Sequence, residues 1–185
     1  MSNYDYGTGN VNGKDIFDTH TTGASFYDDL IPGSPENKYM ADAKNLKGEI
    51  KMVSPYEYFQ GCAKIFNTRR STDNISAENQ IKFIKDYEQD KIEDLKKVIT
   101  EKKKKFPLTY LNFAERGQEG RHRMYVAGEL FGWKEKFPCL IINWADEDRH
   151  NRWVEEKRQS EIQQEFDKAI EDALRYRYDA FEDIA

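Results

Sequence analysis

Apolar and polar positions divide the chain into segments of different period. Thr109 to Phe113 is a short apolar run that predicts a strand. Ala114 to Gly117 then turns the chain, and Gln118-Glu119-Gly120 continues the turn. After Gly120, the apolar positions Met124, Ala127, Gly128 and Phe131 fall at helical spacing, and Gly132 stands where a helix C-cap belongs. Phe137 to Trp144 is too apolar for an exposed loop and predicts a second strand. The expected order is strand, tight glycine turn, helix, strand, with both strands in one sheet.

Upstream, Gly48 to Val53 alternates as a strand does. Ser54-Pro55-Tyr56-Glu57 then makes a helix start: Ser54 caps, Pro55 suits the first turn, and Glu57 completes a capping box. That helix is expected to run to about Phe66, burying Tyr58, Phe59, Cys62 and Ile65 or Phe66. Thr68 to Thr72 reads as a polar loop. From Ser76, Ile81, Ile84, Tyr87, Ile92, Leu95 and Val98 or Ile99 recur at threes and fours, with a break near Asp90. Lys102 to Lys105 follows, and Pro107 ends the helix. Ala145 to Arg149 reads as a polar link. From Asn151 a single helix places Ile162, Phe166, Ile170, Leu174, Tyr178 and Phe181 on one stripe. Such a stripe needs cover, from its own chain or from another subunit.

Residues 1–45 carry no sustained period. Gly7, Gly9, Gly13, Gly23 and Gly33, with Pro32 and Pro35, punctuate them. They read as an extended arm whose aromatics, Tyr4, Tyr6, Phe17, Phe26 and Tyr27, dock on the core or on a partner. The expected organisation is an arm over 1–45, an α/β domain over 46–145 and an acidic amphipathic helix over 146–185.

Composition narrows the function. Of 185 residues, 38% are hydrophobic and 34% charged. That suits one core of about 100–130 residues with polar appendages. A net charge of −5 gives the surface no general attraction for nucleic acid. Residues 145–185 hold 13 acidic and 7 basic side chains, net −6, so the last helix is not a DNA-binding element. The one concentrated basic run is Lys102 to Lys105, read either as a solvated helix end or as a nucleic-acid contact. Cys62 and Cys139 lack metal or redox spacing. Cys139, in an apolar strand, reads as a small buried residue. His20 and His150 read as a surface and a helix-start residue. No run is apolar enough to span a membrane, and no basic-then-apolar leader opens the chain. These features suit a cytoplasmic protein.

Candidate chemistry gathers at Glu119-Gly120-Arg121-His122-Arg123. A glycine there lets backbone approach a ligand. The unpaired N–H groups of a helix start favour an anion, usually phosphate. Arg121 and Arg123 add fixed charges and His122 a titratable ring, with His122 and Arg123 expected to face the ligand. Glu119 stands beside them to carry a metal or act as a base. An ordinary charged surface turn is the competing reading.

This turn, followed by Ala127, Gly132 and Phe137-Pro138-Cys139-Leu140-Ile141-Ile142, resembles the nucleotide-binding core of the ParB/sulfiredoxin-like fold. In that family a strand, a G-x-x-R turn, a short helix ending in Gly and a strand beginning near Pro form the site. The likeness is close from Leu111 to Asn143 and looser back to about Lys47. It implies a nucleoside triphosphate ligand, ATP or CTP, with or without Mg2+. It implies phosphate contacts from Gly120, Arg121, His122 and Arg123, and reach to the nucleotide from Arg69 and Arg70, which otherwise sit in a solvated basic loop. A branch that phosphorylates free serine uses acidic residues near the same turn, which points to Glu119 and His122 as catalytic candidates for phosphoryl transfer or hydrolysis.

The departures are equally specific. The sulfiredoxin branch has its catalytic Cys where Arg121 stands, so sulfinic acid reduction is not expected. The partitioning ParB proteins have a Glu-Asn motif and a helix-turn-helix after the turn. Here Glu78-Asn79 precedes it and one acidic helix follows. Small stand-alone proteins with this type of core resemble those of bacteriophage genomes, which would place the chain in a host cytoplasm. The alternatives are a non-catalytic interaction module, acting as a homodimer or on a protein partner through residues 151–185, and a DNA-binding protein.

Overall fold

The computed structural model describes residues 6–23, 27–33, 45–69 and 75–182, with side chains at helix ends described to Asn67 and Arg175. It divides into two units, 1–145 and 146–185.

The first unit is mixed α and β. β1 (Phe17–Asp18) and a 3-10 turn (Asp28–Leu30) precede β2 (Leu46–Val53), α1 (Pro55–Arg69), α2 (Ala77–Tyr87) and α3 (Gln89–Thr100). Then come β3 (Phe106–Pro107), β4 (Thr109–Asn112), β5 (Gly117–Glu119), α4 (Arg121–Phe131) and β6 (Phe137–Trp144). The main sheet has the order β2-β6-β4-β5. β6 lies antiparallel to β2 and parallel to β4, with Leu111 beside Ile141. The expected pairing of the two apolar strands in one sheet is therefore present.

The two faces of the sheet have different cover. α1 lies on the face of Leu111, where a methyl group on Gly61 would sit 2.5 Å from Leu111 Cδ1. The opposite face carries the arm. A Cβ on Gly48 would fall 1.9 Å from the Leu30 carbonyl oxygen, so only glycine admits the 3-10 turn there. Tyr27 meets Tyr110 edge-on at 4.9 Å on that same face. Ile16, Phe17 and Ile31 are buried in the one core. Asp18, also buried, accepts from Thr8 N–H and Oγ1, both at 2.6 Å, and from His20 N–H at 3.0 Å. Burial raises its pKa, yet these donors outweigh that and hold the carboxyl below its ordinary value.

Local capping is as the sequence implies. Ser54 Oγ accepts from Glu57 N–H at 3.1 Å, and Glu57 Oε2 accepts from Ser54 N–H at 2.7 Å. Tyr58, Phe59, Cys62 and Ile65 are buried. Ser76 caps α2 through Asn79 N–H.

Several boundaries differ from expectation. Gly117–Glu119 is a strand, not part of the turn: it pairs with Tyr110–Asn112. Three polar residues carry no strand signal, and cross-strand pairing supplies it. α1 runs three residues past Phe66, so Thr68 and Arg69 are helical; Arg70 to Thr72 lie outside the described residues, as do Tyr4, Phe26 and Pro35. The break between α2 and α3 falls at Glu88, before Asp90, and it turns Tyr87 outward to 76% exposure. α4 buries more than one face: Arg123 to Gly128 are all buried, because α1, α3 and the sheet surround it.

The second unit is α5 (Glu147–Glu182), which begins four residues before the expected Asn151 because Asp146 accepts from Arg149 N–H at 2.9 Å. Ile162, Phe166, Ile170 and Leu174, on the expected stripe, are 45–60% exposed. Tyr178 and Phe181 have no described side chains. No described helix is long and apolar enough to cross a membrane.

Candidate functional site

The turn that carries the candidate residues joins β5 to α4. Gly120 is the N-cap of α4 at φ +104°, a conformation that strains any residue with a side chain. A Cβ there would lie 2.4 Å from Thr109 Cγ2 and 3.0 Å from Arg123 Nη2. Glycine is thus required twice, by dihedral and by packing. Gly120, as the N-cap, has no side chain to cap the first turn of α4, and its carbonyl accepts from Met124 N–H at 2.9 Å. The N-cap itself puts no side-chain oxygen on the positive dipole end of the helix.

The three residues after Gly120 take three directions. The guanidinium of Arg121, partly exposed, lies 5.7 Å from the centre of the Phe66 ring. His122 turns to the α2–α3 junction, where its Nε2 is 3.0 Å from Glu88 Oε2. The two atoms are close enough to attract but are misaligned for a hydrogen bond, and both are shielded from solvent. Burial pushes the imidazole pKa down, and Glu88 only partly restores it. Arg123 is buried, with Nη2 donating to Glu119 Oε1 at 3.3 Å and Nη1 without a partner. Thus His122 and Arg123 do face inward, but toward carboxylates of the protein.

Glu119 sits opposite Tyr110 across the β4–β5 pair. Its carboxylate is about one-third exposed beside Arg123. Its carbonyl accepts from Tyr58 Oη at 2.6 Å, tying β5 to α1. The two catalytic candidates, Glu119 and His122, thus answer to different partners, Arg123 and Glu88. Glu88 carries no signal in the sequence; only the packing of the α2–α3 junction on α4 reveals it. Arg69 ends α1 without a described side chain, and Arg70 is outside the described residues.

Beneath the turn, the two thiols are inert as nucleophiles. Burial pushes Cys62 and Cys139 up to about 12, far from the thiolate range. The Lys102–Lys105 run is taken up by the arm. Lys105 Nζ is 2.5 Å from Asp15, the Lys102 ammonium lies 5.0 Å from the Tyr6 ring centre, and the Lys103 and Lys105 carbonyls accept from Val11 and Gly7. Among the described residues, no group of three or more His, Cys, Asp or Glu side chains converges as a metal site. A phosphate fits the αL glycine, the start of α4 and Arg121. In comparisons with known proteins, the chain matches no family model, no curated protein and no solved structure.

Proposed function

We propose that this protein binds a nucleoside triphosphate through the start of α4, as its resemblance to the ParB/sulfiredoxin-like fold implies. The observation that carries the reading is the αL glycine that joins β5 to the start of α4, with Arg121 beside it. Backbone N–H groups and one arginine would take the phosphate, ATP or CTP being the nucleotides implied. Arg123 becomes a positioning residue that holds Glu119, and His122 packs against the α2–α3 junction. Glu119 is the group available to orient a nucleophile, and magnesium would enter on the phosphates rather than on a protein cluster. Phosphoryl transfer or hydrolysis by this constellation is part of the proposal.

Arg121→Ala tests it. The variant is expected to keep its melting temperature and to weaken nucleotide binding by about tenfold or more. Unchanged affinity in a folded variant removes Arg121, and the reading with it. A second reading, an interaction module, rests on the exposed apolar stripe of α5. Self-association through that stripe, with no nucleotide effect, would favour it.

A further inference from the structure

A second feature lies at the other end of β4 from Gly120. The strand puts roughly 13 Å between the Thr109 and Phe113 levels. A cleft of about 450 Å³ opens there, on the α1 face of the sheet. Its volume falls within the usual range for small-molecule sites. Ile141 and Asn143 of β6, Lys64 of α1, Lys51 of β2, and Phe113 and Arg116 of the β4–β5 turn all line it.

Its chemistry is one-sided. Among the described residues, three cations line the cleft and no carboxylate does, in a chain whose net charge is −5. Lys51 has Glu49 at 3.4 Å, but both are more than half exposed, so that pair neutralises little. Glu115, the acid of the turn, accepts from Tyr27 Oη at 2.7 Å and from Asn112 Nδ2 at 2.9 Å on the arm side. The Lys64 ammonium is held 5.4 Å from the Phe113 ring centre, beside the apolar wall. Arg116 itself stands at φ +61°, where glycine or asparagine would be cheaper. Like charges gathered along a concave apolar wall focus a positive potential.

We propose that this cleft binds a small organic anion, an aryl or nucleoside phosphate, with its charge on Lys51, Lys64 and Arg116 and its ring against Phe113 and Ile141. It is distinct from the phosphate site at Gly120.

Titration of the full chain with phenyl phosphate, read by amide NMR and by calorimetry, tests this. Binding is expected at millimolar concentration or below, with shifts centred on Phe113 to Gly117 and on Lys64 and Ile65. Inorganic phosphate is expected to bind more weakly, since it lacks the ring. Arg116→Gly suits the left-handed backbone and is expected to leave the melting temperature unchanged or raised. Its affinity should fall about tenfold, as should that of Lys64→Gln. Shifts confined to Gly120–Arg123, no saturable binding, or equal affinity in both folded variants would each overturn the proposal. Equal binding of phosphate and phenyl phosphate would overturn the assignment of an aromatic ligand.

Discussion

At Gly120, one residue satisfies a dihedral and a packing requirement together. Gly120→Ala adds strain at φ +104° and a Cβ 2.4 Å from Thr109. We expect a loss of about 2–5 kcal/mol by denaturant unfolding. A loss under about 1 kcal/mol would mean that the turn relaxes freely. Arg123 behaves differently from the expectation of a ligand-facing arginine. It is buried and paired with the half-buried Glu119, so Arg123→Ala should lower the melting temperature before it affects any ligand. The cost should be about 2 kcal/mol, under the range for fully buried pairs, because Glu119 is partly exposed and rehydrates. His122 sets a pH dependence. Its folded pKa is depressed, chiefly by burial, so the unfolded chain binds more protons below the ordinary histidine range. Stability should therefore fall as pH drops from the ordinary histidine value through the lowered one. His122→Asn should flatten that part of the curve relative to wild type. An identical slope in both would show that other groups set it.

At the scale of elements, legibility followed the range of the interactions. The Ser54–Glu57 box is local, and both of its hydrogen bonds form as the four-residue pattern implies. Removing it with Ser54→Ala should cost about 1 kcal/mol in a melting or denaturant experiment. Strands β4 and β6 announced themselves by apolar content. β5 did not, because Gly117, Gln118 and Glu119 become a strand only through pairing with β4. Likewise α4 looked amphipathic, with Met124, Ala127, Gly128 and Phe131 on one face. Its burial follows from α1, α3 and the sheet closing around it, with Tyr58 bonded to the Glu119 carbonyl. In the arm, Ile16 and Phe17 are an isolated apolar pair with no period. Their burial depends on β3, about 90 residues away in sequence.

For the whole molecule, the chain joins a packed α/β unit to a helix of 36 residues that carries a half-exposed apolar stripe. The candidate site was legible as a motif in its backbone part, Gly120 and the helix start. It was not legible in its side-chain part, because Glu88 and Glu119 capture His122 and Arg123 through tertiary packing. Nucleotide binding is the central claim, and calorimetric titration of the full chain tests it most directly. ATP, CTP, GTP and ADP would each be added with and without magnesium. Saturable binding of at least one triphosphate is expected, weakened about tenfold or more in folded Arg121→Ala. A folded wild-type chain that binds none of the four under either condition would contradict it.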